Sequence, residues 1–199
     1  IIVVDNELDY FLKLKNKYPE YSVLLSTGKK GVSTARNFGV SFAKTNFINF
    51  LDDDDTWERN YLEEVFSEND FDITLAGFQK VTENKIIAEK LPPLQLKANC
   101  FFVRNPGIRG SNITIIKKLF DKIGGFNENL LSFNDMDFGM RLSLQNGIKY
   151  KSVQKHLVVF NSHKGQRIST AGSLENIQGL TNFLFFHGDK IPYIDEEIG

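Results

Sequence analysis

Apolar residues in the first third of the chain switch between short unbroken runs and a three-to-four-residue spacing, which predicts alternating strands and helices. Ile1–Val4 is continuously apolar and β-branched, the pattern of a strand buried on both faces. From Glu7 to Tyr18 the spacing predicts a helix, with Leu8, Phe11 and Leu12, then Tyr18, on one side and Pro19 as its stop. Val23–Ser26 is a second short strand. The polar loop Thr27-Gly28-Lys29-Lys30-Gly31 then opens a helix on which Val32, Ala35, Gly39, Phe42 and Ala43 recur at helical spacing. Phe47–Leu51 is the third strand. A third helix is expected from Trp57 to Glu68, burying Tyr61, Leu62, Val65 and Phe66, with Asp55 or Thr56 as its cap.

Strand and helix in strict alternation imply the α/β class, with a mostly parallel central sheet flanked by helices. In such sheets the ligand crevice lies beyond the carboxyl ends of the strands. Asp5 and the run Asp52 to Asp55 both follow strands and so are expected on one edge. The second half is less regular. Asp72–Phe78 reads as a strand, with Lys85–Glu89 as a hairpin partner. Leu91-Pro92-Pro93 is a break, Ile113–Ile116 an apolar strand, and Phe120 to Gly125 ends in a Gly-Gly turn. Helices are expected from Asp135 to Gln145 and from Asn176 to Phe186, and strands at Tyr150–Val153 and Leu157–Phe160. The chain opens directly on a β-branched strand, so we expect an N-terminally truncated fragment that lacks the first strand of its fold.

Composition narrows the function classes. The 199 residues suffice for one full-sized core, so a single domain is expected. The formal net charge of −1, from 24 basic and 25 acidic side chains, gives no basic excess, so nucleic acid is not an expected partner. No window approaches the roughly 20 apolar residues of a bilayer span, so no transmembrane segment is expected here. The single cysteine, Cys100, leaves neither an intrachain disulfide nor a cysteine-based zinc site, which fits a cytoplasmic setting.

Four consecutive carboxylates, Asp52 to Asp55, follow the run Phe47-Ile48-Asn49-Phe50-Leu51. Like charges at one fixed point repel unless something positive sits among them. A hard divalent cation with oxygen ligands, Mn²⁺ or Mg²⁺, takes one or two carboxylates plus substrate phosphates in such places. The bland alternative is a solvated acidic loop. Gly28-Lys-Lys-Gly31 lacks the Gly-Lys-Ser/Thr tail of a nucleotide P-loop, and no Ser-His-Asp or His-Glu-x-x-His signature is present. Phenylalanine is abundant, with 18 residues, so Phe101 and Phe102 are expected to pack rather than to line a site.

Several segments, taken in order, resemble the inverting family 2 nucleotide-sugar glycosyltransferases with the A-type fold. They are Gly31-Val-Ser-Thr-Ala-Arg36-Asn37-Phe-Gly39, Phe50-Leu-Asp-Asp-Asp-Asp-Thr-Trp57, Gly124-Gly-Phe-Asn-Glu128, and Asn134-Asp135-Met-Asp137 with Arg141. The resemblance implies a nucleotide-sugar-binding half over about 1–80, an acceptor-side half over about 81–170, and a C-terminal helix and tail over 171–199. It implies a sugar moved from a nucleotide-diphosphate sugar, a UDP-sugar above all, to a carbohydrate or lipid-linked hydroxyl acceptor. Work in cell-surface polysaccharide or glycolipid synthesis, in the cytoplasm or against a membrane, is the corresponding setting.

On the same resemblance Asp52 and Asp54 match the ends of the family's Asp-x-Asp. Asp54 is the expected ligand of the cation, while Asp52 and Asp53 lie on the donor side. Asp5 matches the strand-end aspartate that accepts hydrogen bonds from the nucleoside, and Arg36 the arginine near base and diphosphate. Asp135 is the expected general base, drawing the proton from the attacking hydroxyl. His163 is expected to complete the metal shell, and Arg167 to hold the diphosphate with Lys164 and Ser169 nearby. Asp137 and Arg141 stand four apart and are expected to form an intrahelical ion pair. His156 and His187 are expected to be structural. Asn6 and Asn134 stand where the family carries acidic residues. Two other readings remain open on these residues: a catalytically silent nucleotide- or sugar-binding domain, and a sugar nucleotidyltransferase.

Overall fold

A computed structural model describes residues 1–68, 70–83, 85–161 and 172–190. Its first, two-stranded sheet pairs β1 (Ile2–Asp5) in parallel with β2 (Val23–Ser26), placing Asp5 opposite Ser26. Helix α1 (Leu8–Lys17) connects them and α2 (Val32–Ser41) follows. A Cβ on Gly39 would stand 3.0 Å from Val3 Cγ2, so the missing side chain lets α2 lie close on β1. The strand and helix spacing of the sequence is realised here almost residue for residue.

The second sheet has the spatial order β3 (Phe47–Asn49), β7 (Ile113–Ile116), β5 (Ile73–Thr82), β8 (Tyr150–Asn161), β4 (Asp55–Trp57), with β6 (Lys85–Lys90) also on β5. The expected parallel pairing is found at β1–β2 and β5–β8. The pairings β3–β7, β4–β8, β5–β6 and β5–β7 are antiparallel. Of these, only β5–β6 is joined by a short hairpin, a connection that permits antiparallel pairing alone.

Two local expectations are corrected. The helix expected from Trp57 to Glu68 is confined to α3 (Tyr61–Val65), and Asp55 caps nothing. Asp55, Thr56 and Trp57 instead pair with Phe160, Val159 and Val158 of β8. A partner strand with free backbone groups outweighs the weak capping preference of the sequence. The two strands expected at Tyr150–Val153 and Leu157–Phe160 are one strand, β8, whose register against β5 shifts around Gly77. A Cβ there would lie 2.7 Å from the Lys155 carbonyl oxygen, so glycine admits the irregularity.

Both faces of β5 are covered, as a central strand requires. Ile73 and Leu75 join Phe101, Phe126, Phe138 and Phe183 on one face; Ala76 and Phe78 join Tyr61, Val65 and Phe160 on the other. Phe101, in the short helix α4 (Cys100–Val103), is fully buried, as expected of packing. Helix α5 (Lys117–Lys122) and helix α6 (Asn134–Ser143) flank the first cluster, where Phe126 stacks on Phe138 with centroids 4.4 Å apart. Helix α7 (Leu174–His187) closes it. There His187 Nε2 lies 2.9 Å from Asp137 Oδ1, while Arg141 donates to Oδ2 of the same carboxylate at 2.6 Å. Burial opposes the Asp137 charge, but the bonds from His187 and Arg141 outweigh it and hold its pKa below the usual carboxylate range. The expected Asp137–Arg141 pair is therefore present, and His187 is structural as expected. It anchors α7 to the helix that carries Asp135.

Candidate active site

One guanidinium gathers the acidic residues of the two halves. Arg36 projects from α2, and its Nη2 donates to both Asp52 oxygens at 2.8 Å. Its Nη1 donates to Asp135 Oδ1 at 3.1 Å, across 99 positions of sequence. The Arg36 side chain is 8% exposed and lies 4.9 Å over the Phe126 ring. Gly110 gives it room, since a Cβ there would sit 2.0 Å from Nη2. Arg36 Nε is buried without a hydrogen-bond partner among the described residues. Burial works against the Arg36 cation, yet Asp135 and Asp52 more than offset this and raise its pKa.

Asp135 sits in the first turn of α6. Burial pushes its carboxyl above the usual carboxylate range; Arg36 opposes that shift and the nearby Asp52 charge reinforces it. A carboxylate with raised proton affinity, still paired with a cation, is the form suited to accepting a proton. Only Asp135 Oδ1 is engaged by Arg36; Oδ2 accepts no hydrogen bond among the described residues.

The acidic turn divides by partner. Asp53 and Asp54 are exposed; Asn161 donates to the Asp54 carbonyl oxygen at 2.8 Å, and the Asp54 carboxylate accepts no hydrogen bond among the described residues. Asp55 is buried, and the Ser111 hydroxyl donates to its Oδ2 at 2.6 Å while accepting from the Asp52 amide at 3.1 Å. Trp57 Nε1 donates to the Ser111 carbonyl oxygen at 2.7 Å, and the indole stacks on Tyr61. Ser111, in the turn Gly110–Asn112, thus fixes the acidic segment from both ends. Sequence reasoning missed it, because a serine inside a long irregular stretch carries no periodic signal.

Burial raises the Asp55 pKa to about 7, against the Ser111 hydrogen bond. That value lies above the ~3.9 of an unfolded chain, so the folded state holds the extra proton. Its stabilising contribution is complete below about pH 4 and is lost as pH rises through about 7. In metal-free buffer the melting temperature of the wild type therefore falls between pH 5.5 and 8. Asp55→Asn melts higher than wild type at pH 8 and with a shallower pH dependence. Equal slopes in the two proteins would rule out Asp55 as the source.

Asp5 turns its carboxylate to its own neighbourhood. Gly31 N donates to Oδ2 at 2.9 Å and Asn6 Nδ2 to Oδ1 at 2.8 Å, which ties the end of β1 to the start of α2. Gly31 has φ +146°, a conformation that favours glycine. Asn37, beside Arg36, bonds the Gly-Gly-Phe-Asn-Glu segment: its Nδ2 donates to the Phe126 carbonyl oxygen and to Glu128 Oε1, both at 2.8 Å, and its Oδ1 accepts from Phe126 N at 2.9 Å. Asn134 Nδ2 donates to Ser33 Oγ at 3.2 Å, a second link between α6 and α2. His156 lies 3.7 Å from Glu89, remote from this cluster in chain partners. His163 and Arg167, with Lys164 and Ser169, fall outside the described residues.

Among the described residues no three His, Cys, Asp or Glu side chains converge to hold an ion unaided. Asp52 is committed to Arg36, and Asp54 offers one carboxylate at the surface. This all-oxygen set suits Mg²⁺ or Mn²⁺ only where a substrate supplies further oxygens, as a diphosphate does.

Residues 1–124 match the family model described as glycosyl transferase family 2. Over 195 residues the chain is 24% identical to an uncharacterized glycosyltransferase of Haemophilus influenzae, covering 94% of this chain and 66% of that protein. Over 95 residues it is 28% identical to the UDP-Glc:alpha-D-GlcNAc-diphosphoundecaprenol beta-1,3-glucosyltransferase WfgD of Escherichia coli, covering 46% of this chain and 37% of the relative. The crystal structure of S. aureus TarS 1-349 in complex with UDP-GlcNAc shares the fold, with TM-score 0.62 and 21% identity over 93% of this chain and 62% of that one. The chain spans about two thirds or less of the length of these relatives.

Proposed function

The chain belongs to glycosyl transferase family 2, and on that premise we propose that it moves a sugar from a UDP-sugar to a hydroxyl acceptor with inversion. The observation that carries this reading is the Asp52–Arg36–Asp135 bridge, which sets a half-buried carboxylate of raised proton affinity one guanidinium away from the acidic turn. Asp135 accepts the acceptor's hydroxyl proton as the oxygen attacks the anomeric carbon. The bond from that carbon to the donor phosphate oxygen breaks, and its electron pair leaves with the nucleoside diphosphate. Asp54 would hold a Mn²⁺ or Mg²⁺ ion, which would supply positive charge to the departing diphosphate. Arg36 opposes the rise in the Asp135 pKa and positions its carboxylate. Asp5 and Asp53 complete the donor side.

The relative from Escherichia coli is named for a diphosphoundecaprenol acceptor, and the TarS structure for UDP-GlcNAc. Both names support a UDP-sugar donor, and the first a lipid-linked acceptor; a carbohydrate acceptor and a role in polysaccharide or glycolipid synthesis, in the cytoplasm or against a membrane, belong to the same proposal. Among the described residues no helix is long and apolar enough to cross a membrane. The test is thermal shift with nucleoside diphosphates, with and without Mn²⁺. UDP at about 100 times its Kd, with metal, raises Tm by roughly 5–10 °C. No shift with any nucleotide sinks the donor assignment, and a full shift without metal sinks the cation.

A further inference from the structure

Three cations lie together in the half of the chain that follows the donor-side residues. Lys90 ends β6 directly across from Phe78 of β5. Arg109 lays its guanidinium 5.2 Å over the ring of that same Phe78 and 5.0 Å over Phe160. The Lys90 ammonium donates to the Asn105 carbonyl oxygen, beside Arg104, and its stem passes Gly107, where a Cβ would stand 3.5 Å from Lys90 Cε. None of the three forms an ion pair among the described residues. Burial, and then Arg104 and Arg109, lower the Lys90 pKa, which reports their mutual repulsion.

Hydrogen bonds fix the loop that carries Arg109, between Arg104 at the end of α4 and the turn Gly110–Asn112. Asn105 Oδ1 accepts from Gly107 N and Ile108 N, each at 2.8 Å, and Asn105 Nδ2 donates to the Ile108 carbonyl oxygen at 2.8 Å. Asn112 Oδ1 accepts from Arg109 N at 2.9 Å, while its Nδ2 donates to the carbonyl oxygens of Ala76 at 2.7 Å and Gly107 at 2.8 Å. Like charges held close together with no direct ion-pair partner are stabilised by an anion, most strongly by one that accepts several charge-assisted hydrogen bonds. The cluster adjoins the site. Gly110, next to Arg109, lies against the Arg36 guanidinium, and the Arg109 charge is felt at both Asp55 and Asp135.

We propose that Lys90, Arg104 and Arg109 form a phosphate subsite that holds a phosphate or diphosphate ester of the acceptor while its hydroxyl faces Asp135. The assignment to the acceptor rests on the transfer reading, in which the donor diphosphate belongs to the 52–55 turn. The same chemistry could come from the donor, and the experiment separates the two. Methyl phosphate is titrated calorimetrically into the wild-type chain saturated with UDP and Mg²⁺, and into Lys90→Gln/Arg104→Gln and Arg109→Gln. Methyl phosphate binds the UDP-saturated wild type, and each variant weakens it about tenfold while UDP affinity stays within about twofold. Unchanged methyl phosphate binding in both variants, or none in wild type, overturns the subsite. Binding that UDP abolishes, with UDP affinity falling in the variants, makes the cluster a donor site and also overturns the proposal. Should UDP fail to bind wild type, the transfer reading fails, and titration of the unliganded chain still decides whether the cluster takes phosphate.

Discussion

Asp135→Asn lowers the turnover number for sugar transfer by roughly 10²–10⁴-fold and leaves UDP affinity within about twofold of wild type. Asparagine keeps an oxygen in the place of Oδ1, so the Arg36 contact at 3.1 Å has an acceptor in the variant. What disappears is the capacity to take a proton. Single-turnover transfer and calorimetric UDP binding, measured on the same preparation, separate the two effects. In wild type the carboxylate is the active form, and burial raises its pKa above the ordinary range. Activity therefore falls as pH drops through that raised value, and this acid limb vanishes from the residual activity of Asp135→Asn. Turnover preserved in the variant overturns the base assignment. Tight UDP binding in a wild type without turnover favours a silent binding domain instead.

Arg36→Met has a second large effect, on stability as well as on rate. The wild-type guanidinium neutralises Asp52 and Asp135 together, with 8% of its side chain exposed. Removing it leaves two carboxylates in a partly buried space with no cation between them. Breaking a fully buried pair costs about 3–5 kcal/mol; with Asp52 35% and Asp135 24% exposed, solvent screening reduces this, and the melting temperature drops by roughly 5–10 °C. The loss is not additive with Asp135→Asn, because the second substitution removes one of the orphaned charges. Arg36→Met/Asp135→Asn therefore melts above Arg36→Met. The gap between Arg36→Met and wild type also narrows as pH falls and Asp135 takes up a proton. Differential scanning calorimetry of the three variants from pH 5 to 8 checks both statements. Additive losses with no pH trend would show that Arg36 acts by packing on Phe126 alone.

The first third of the fold was legible because its elements are local. The unbroken run Ile1–Val4 and the helical spacing from Val32 to Ala43 need only their own residues to be read, and β1, β2 and α2 follow them closely. Asp55–Trp57 was not legible, since its strand character comes from β8, about a hundred positions later. Between the two expected strands Tyr150–Val153 and Leu157–Phe160 stand polar Gln154, Lys155 and His156, which the structure keeps in one strand as an irregularity opposite Gly77. Of the site, Arg36, Asp52 and Asp135 emerge together as the motif order implied, joined by direct contacts that spacing cannot reveal. The Asp5 carboxylate, expected on the donor side, also accepts from Gly31 N and Asn6, bonds that motif order does not announce. Arg109 and Ser111 escaped notice because the segment from 94 to 112 has no periodicity to assign, and only tertiary packing brings it to the acidic turn.

Trp57 is the molecule's sole tryptophan, two residues beyond Asp55, hydrogen-bonded to Ser111 and stacked on Tyr61. Light absorbed at the red edge of the aromatic band is thus emitted from one known spot at the mouth of the acidic turn. A built-in optical reporter follows from this placement: occupancy there can be read as a change in colour or brightness, without attaching a dye.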